Sequence, residues 1–585
     1  MEVGKKFFIW VFVCISFLSL VSMASAAVDK ILCVPWQGNA ALPHTAISNE
    51  AVNLYAVIYG DEFGGTFAFT WDFKDGTTPA SGNITIPPNG IYNLQVTHTF
   101  AGVINAPFDT ELTIGGITDV YKIILAPANN DSRVNIAIDK ALWYLHRQMV
   151  RTNVGSPSVR GGYWNDAGNY YVGRTGACVW AFEVQGHLLN LEADPLNPVE
   201  DPYVEDVQRG INYLLTRLYY QSMNPQSCGH PEAGQTSPNG YGLVCYYSGG
   251  HTNYENGLAI GAIAGCGTPN ATAATGNNTY VLGRPYKAIV QDMVDWYAWS
   301  QIEGSAFPPS GARGGWYYTA GNNWAPGGYY GDNSASQWAY IGLDAAEANF
   351  GCTVPVWVKQ QLAGYLHCQI SYEGRGFVSY RAGGGDFYTG NVCLTGGALV
   401  GMALVGETIY NSACGAGAYA ADLNRAELFL GNNWHGTGSR WTENWYGHRA
   451  YYTMYAVMKG LRLQGITSLP GSPGTADWYA DYVSVMTQAG EQYSDGHFRG
   501  TGWMDGYIRE DMGTAFGILI LTPSIFSPPP VACFDAEPNP GYLDIPISFD
   551  PSCSYHSDAG KNIILYEWDW DDDGIYDSST ATPDT

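Results

Sequence analysis

Ile508-Arg-Glu-Asp-Met-Gly-Thr-Ala-Phe-Gly-Ile-Leu-Ile-Leu521 reads as a polar loop running straight into an apolar, small-residue helix. Five upstream stretches have the same form: Gly173-Arg-Thr-Gly-Ala-Cys-Val-Trp-Ala-Phe182, Asn253-Tyr-Glu-Asn-Gly-Leu-Ala-Ile-Gly-Ala262, Gly331-Asp-Asn-Ser-Ala-Ser-Gln-Trp-Ala-Tyr340, Tyr388-Thr-Gly-Asn-Val-Cys-Leu-Thr-Gly-Gly397 and Tyr446-Gly-His-Arg-Ala-Tyr-Tyr-Thr-Met-Tyr455. Repetition at this period fixes an architecture before any local detail does. A helix that is apolar on all faces must be buried on all faces. Six inner helices are therefore expected, ringed by six others.

The outer partners follow from helical spacing of apolar residues. They run from Val134 to Gln148, Val204 to Tyr219, Tyr286 to Trp299, Val356 to Ile370, Ala420 to Leu430 and Trp478 to Thr487. Several lead into a loop of Gly and aromatics. Gln148 precedes Gly161-Gly-Tyr-Trp164, Gln301 precedes Gly314-Gly-Trp-Tyr317, Gln369 precedes Gly376-Phe377 and Gln488 precedes Gly502-Trp503. A Gln amide can cap a helix end while the ring stacks on it. The pattern resembles the Gln-and-Trp repeat of the squalene cyclase and protein prenyltransferase toroid. The resemblance covers residues 133–526 and implies six helical hairpins in an (α/α)6 barrel.

Residues 28–128 read instead as strands. Val52-Asn-Leu-Tyr-Ala-Val-Ile-Tyr59 and Thr66-Phe-Ala-Phe-Thr-Trp-Asp-Phe73 alternate, and Lys74-Asp-Gly76 is a turn signal. Short strands at this spacing argue for a β-sandwich. Trp71-Asp-Phe-Lys-Asp-Gly76 followed by His98-Thr-Phe100 resembles the polycystic kidney disease (PKD) domain, departing from its usual pattern at Lys74 and Phe100. The same resemblance returns in residues 527–585, after the stiff Pro528-Pro-Pro530, through Ile547-Ser-Phe-Asp-Pro-Ser-Cys-Ser554 and Tyr566-Glu-Trp-Asp-Trp-Asp-Asp-Asp-Gly-Ile-Tyr-Asp577. Set against a PKD domain, this second copy reads as truncated. The expected organisation is thus a multidomain chain, an (α/α)6 toroid between two Ig-like sandwiches.

Lys5-Lys6, an apolar run from Phe7 to about Val21 and Ala24-Ser-Ala26 compose a signal peptide over residues 1–26. Secretion or a cell-surface location is expected, with no membrane span after cleavage. Cys14 leaves with that segment, so an odd number of the 12 cysteines remains. In an oxidising compartment most should pair, and Cys228 with Cys245 and Cys533 with Cys553 are local candidates. No CxxC spacing points to zinc. Of the 585 residues, 46% are hydrophobic and only 14% charged, with Gly 72, Tyr 42 and Trp 19, a mix suited to aromatic-lined extracellular surfaces. The net charge of −26 argues against nucleic acid and anionic lipid as partners.

In such a barrel the inner-helix N-termini open on one face. The acids Asp332, Glu255 and Asp511, with His448 and Tyr388, are the catalytic candidates there. Two carboxylates could act as acid and base on a glycoside. His448 with Tyr388 could move a proton for a polysaccharide lyase. The same acids stand where helix caps and first-turn acids are favoured, so a structural role stays open. Arg174, Asn256, Asn333, Tyr254, Tyr330, Trp445 and Tyr507 are the ligand-binding candidates.

Other chemistry of the toroid families lacks its residues. The helical region has neither D-x-D-D nor D-D-x-x-D; Asp569-Trp-Asp-Asp572 lies in the sandwich. Asp386, Cys393 and His448 are the nearest to a prenyltransferase zinc set, without its local pattern. Ala489-Gly-Glu-Gln492 has Ala where a thioester protein needs Cys. Asp569, Asp571, Asp573 and Asp577 begin a calcium loop, but Thr580 stands where a bidentate Glu belongs, so calcium and a solvated turn both remain. Two functions follow: a surface protein whose toroid binds an extracellular polymer, a glycan, or a lyase or glycoside hydrolase working at the toroid mouth. A protein–protein scaffold is the third.

Overall fold

The computed structural model describes residues 27–37, 44–60, 64–88, 90–165, 170–189, 201–304, 306–308, 310–320, 331–382, 392–414, 418–434, 451–471, 475–498, 509–522, 534–537, 546–554, 566–568, 570 and 578–580. Residues 1–26, Tyr330, Tyr388, Trp445, His448, Tyr507, Asp569, Asp571, Asp573 and Asp577 lie outside them. The chain is a mixed helix–sheet, multidomain protein with thirteen α-helices and several sheets among the described residues.

Eight strands come first: β1 (Val28–Val34), β2 (His44–Ile47), β3 (Ala51–Gly60), β4 (Gly65–Asp72), β5 (Ala80–Ile86), β6 (Ile91–Thr99), β7 (Pro107–Ile114) and β8 (Ile117–Ala126). One sheet runs β1-β3-β6 and the other β2-β8-β7-β4-β5, with β2 parallel to β8. Alternate residues of both sheets, among them Leu54, Ile58, Trp71, Leu112 and Ile123, fill one shared core. Trp71 donates its indole N–H to Thr110 Oγ1 at 3.1 Å, which keeps the buried nitrogen paired. The two motif stretches meet in space. Asp75 lies 2.7 Å from His98 Nε2, and His98 stacks on Phe73 with centroids 3.7 Å apart.

Helix α1 (Asn130–Gln148) starts four residues after β8, capped by Asn129, which accepts from Ser132 N. The remaining helices are α2 (Tyr171–Glu183), α3 (Pro202–Leu215), α4 (Thr252–Gly265), α5 (Tyr286–Ser300), α6 (Asn333–Phe350), α7 (Val356–Ile370), α8 (Val392–Val405), α9 (Glu407–Cys414), α10 (Ala418–Asn432), α11 (Tyr451–Leu463), α12 (Trp478–Met486) and α13 (Glu510–Leu521). The helices of the six repeated stretches are buried on nearly every face, as their all-round apolar sequences demand. They pack in the order α2–α4–α6–α8–α11–α13, and α13 returns to α2. Small residues permit the close approach. A Cβ on Gly396 would stand 2.6 Å from the Val457 Cα, and one on Gly460 2.2 Å from the Gly396 carbonyl oxygen.

Some elements depart from expectation. The helix expected from Val204 to Tyr219 ends at Leu215. Leu218–Ser222 instead forms β11, paired with β12 (Tyr241–Cys245), because aromatic and β-forming residues favour a hairpin there. Hairpin β9 (Val150–Val154) with β10 (Val159–Tyr163) follows α1, and β13 (Gly331–Asp332) pairs with β14 (Arg381–Ala382). Near the C-terminus β15 (Asp535–Glu537) pairs with β16 (Ser548–Asp550), and β17 (Tyr566–Trp568) with β18 (Ser578–Thr580).

The expected Cys228–Cys245 bridge does not form. Neither is in a disulfide, nor is any other cysteine whose side chain is described. Cys245 is buried against the Leu214 carbonyl, while Cys228 sits 3.2 Å from the Arg313 guanidinium. Closeness in sequence did not place the two on facing positions. Cys533 lies outside the described residues. No helix among the described residues is long and apolar enough to cross a membrane.

Candidate functional site

The polar starts of α4 and α6 and the loops that precede them bring together most of the described candidates. Asp332 ends β13 and caps α6. Its Oδ1 accepts from Ser334 N at 2.8 Å, Ala335 N at 3.2 Å and the Ser334 hydroxyl at 2.5 Å. The residue is only 2% exposed. Burial raises its carboxyl above the usual range, against the opposing bonds from Ser334, Ala335, Tyr380 and Tyr318.

Glu255, on the first turn of α4, accepts from the backbone N–H of Tyr247 at 3.2 Å and of Gly173 at 3.4 Å. It therefore ties α4 to the start of α2. Burial pushes its carboxyl up to about 7, while those backbone donors pull the other way. Arg174 of α2 and Asp511 of α13 form a fully buried ion pair at 2.7 Å. Asn333 donates to Gln369 Oε1 and the Ser379 carbonyl, and accepts from the Tyr365 hydroxyl. Asn256 Oδ1 accepts from Cys245 N at 2.9 Å. These side chains hold one segment to the next. Glu255, Asp511 and Arg174 are each no more than 1% exposed.

Next to them in the chain stand partly exposed rings. Tyr170, in the left-handed region at φ 59°, meets His251 edge-on at 4.9 Å. His251 touches Tyr254 and Tyr318 at 5.8 and 5.2 Å. Tyr254 and Tyr318 are parallel to within 14°. The Tyr318 and Tyr380 hydroxyls share a bond of 2.5 Å, and the Tyr254 hydroxyl shares one of 2.6 Å with Ser334. Burial lowers the His251 pKa, so its ring is neutral at neutral pH. A second run, Tyr163, Tyr171 and Tyr247, continues beside it at 5.5 and 4.3 Å. The result is a group of partly exposed rings, linked by ring contacts and hydroxyl bonds, next in the chain to acids that bond within the protein.

Sequence reasoning placed Tyr254 and Asp332 here but missed His251, Tyr318 and Tyr380. A signal existed. Tyr247, Tyr318 and Tyr380 each stand two residues beyond Cys245, Trp316 and Val378. The backbone N–H of each of those earlier residues bonds a polar side chain near the start of α4, α6 or α8: Asn256, Ser336 and Thr395. The ring position thus repeats with the hairpins.

No group of three or more His, Cys, Asp or Glu among the described residues can hold a metal ion. Burial pushes the Cys393 thiol up to about 12; Asp386 and His448, the other residues of the nearest prenyltransferase set, lie outside the described residues.

No family model matches the chain, and no curated protein does.

Proposed function

We propose that α2, α4, α6, α8, α11 and α13 form the inner ring of an (α/α)6 toroid, flanked by PKD-like sandwiches in a secreted or cell-surface protein. The toroid mouth binds an extracellular polymer, and the polymer is a glycan. The observation that carries this reading is the partly exposed group of Tyr170, His251, Tyr254, Tyr318 and Tyr380. Sugar rings present apolar C–H faces and a hydroxyl rim. Tyrosine matches both, with a flat apolar face and a polar edge. The neighbouring acids are occupied by backbone donors and by Arg174, which favours binding over turnover.

One observation favours the alternative lyase or hydrolase. The raised carboxyl of Asp332 interacts with two tyrosine hydroxyls, a proton-transfer set of the right types.

The test is retention on insoluble acidic and neutral polysaccharides, with and without calcium, while reducing ends and unsaturated products are followed in the same wells. Tyr254→Ala and Tyr318→Ala should each weaken retention about fivefold, since one stacking contact is worth about 1 kcal/mol. Asp332→Asn should leave retention intact. Product formation abolished by Asp332→Asn would replace binding with catalysis. Absence of both retention and products would leave a protein scaffold.

A further inference from the structure

A second aromatic surface lies away from the inner-helix starts. Tyr220 on β11, Tyr241 on β12 and Tyr280 in the connection from the C-terminal end of α4 to α5 converge from three segments. Tyr220 and Tyr280 stack at 4.5 Å and 27°. Tyr241 lies 4.8 Å from Tyr280 and 5.4 Å from Tyr220. Burying such rings is what folding ordinarily does, yet Tyr220 is 45% and Tyr280 36% exposed, as is Leu282, two residues after Tyr280, at 41%.

The cluster is held rigid from below. Arg284 bonds the Tyr280 carbonyl at 2.8 Å and Asp292 at 2.5 Å, and its guanidinium lies 5.8 Å from the Tyr241 ring. Asn278 bonds the Leu218 carbonyl and receives Tyr280 N, fixing the loop to the strand. Little ordering is left to cost affinity on binding.

We propose that Tyr220, Tyr241 and Tyr280 form a second glycan-stacking site, for a neutral polysaccharide. The charge is argued from the surroundings. The nearest ions, Arg284 and Asp292, are paired with each other, and the chain's −26 repels acidic polymers. The occupant's size is argued from area. Two exposed tyrosines, the partly buried Tyr241 and one leucine offer on the order of 300 Å2, whereas a stable protein partner needs about 800 Å2 per side. A flat sugar face fits the smaller figure. This inference rests on the glycan reading for its ligand class but uses a separate surface, so two-point attachment to one long polymer would multiply affinity.

The experiment compares wild type, Tyr220→Ala/Tyr280→Ala and Tyr254→Ala of the full chain for retention on insoluble cellulose, chitin and mannan. Thermal melts verify folding. The double variant, changed only at exposed positions, should melt as wild type and lose retention at least tenfold. Retention unchanged in the double variant overturns the second site; if Tyr254→Ala still weakens binding, the mouth reading survives alone. Retention of none of the three polymers by wild type overturns the neutral-polysaccharide site. A concentration-dependent dimer in sedimentation that the double variant abolishes also overturns it, assigning the surface to self-association.

Discussion

Arg174 and Asp511 show what a buried charge is for in this chain. Their pairing at 2.7 Å joins the first and last of the repeated helices, with neither side chain exposed. Removing one partner leaves an uncompensated ion, at a cost of about 3–5 kcal/mol. Asp511→Ala should therefore lower stability by that order in urea unfolding, and Arg174→Met/Asp511→Leu should recover much of it. An equal loss in single and double variants would deny the coupling. Glu255 makes a prediction in pH. Its carboxyl has an ordinary value of 4.5 when unfolded and about 7 when folded. Between those values the folded state holds the extra proton. Stability is thus fully present below about pH 4.5 and declines as pH rises to about 7, by about 3 kcal/mol. Glu255→Gln should flatten that part of the pH–stability curve relative to wild type. At this scale the sequence was legible only in part. Polar residues at helix starts could be picked out by position, but the partners of Glu255 are backbone groups of Tyr247 and Gly173, and no spacing rule names those.

The repeating unit of the helical region is a latch. The backbone N–H groups of Trp164, Cys245, Trp316, Val378 and Phe498 bond Thr175, Asn256, Ser336, Thr395 and Thr514 on α2, α4, α6, α8 and α13. Two of the tryptophans add a second tie. Trp164 donates its indole N–H to the Leu145 carbonyl and Trp316 to the Tyr297 carbonyl, near the ends of α1 and α5. Gln301 donates to the Gly314 and Val358 carbonyls. Leu145 and Tyr297 are among the last four residues of α1 and α5, so the indoles satisfy orphan helix-end carbonyls; the Gln301 amide instead bonds a loop carbonyl and a first-turn carbonyl of α7, not the helix end expected of it from the sequence. Ser336 both accepts from Trp316 N and donates to its carbonyl. Ser336→Ala should cost about 1–3 kcal/mol, because a buried donor and acceptor lose their partner together. Chemical denaturation measures it, and a loss below the error of the method would demote the latch. Helix identity was legible here because an apolar surface on all sides has one physical solution. The hairpin β11–β12 was not, since Tyr219 and Tyr220 suit the end of a helix and the start of a strand alike.

The eight-stranded unit is built into the helical region rather than tethered to it. Val34, Tyr55 and Val57 belong to the same continuous core as Trp143 and Leu142 of α1. Tyr55 stacks on Trp143 at 4.9 Å, and Trp143 donates to Gln95. His146 bridges Asn93 on β6 and Asp206 on α3, and Arg151 completes that group by bonding Asp206 at 2.7 Å. A spacer module would show none of this, because inter-domain contacts that merely touch are small and polar. The consequence is cooperative unfolding. Scanning calorimetry of residues 27–522 should give one transition covering strands and helices, and Tyr55→Ala should lower it as a whole. A chain lacking residues 27–128 should melt well below it, since Trp143 and the polar ring around Asp206 would face water or stand unpaired. Two transitions, with the lower one alone sensitive to Tyr55, would instead make the strands an independent bead.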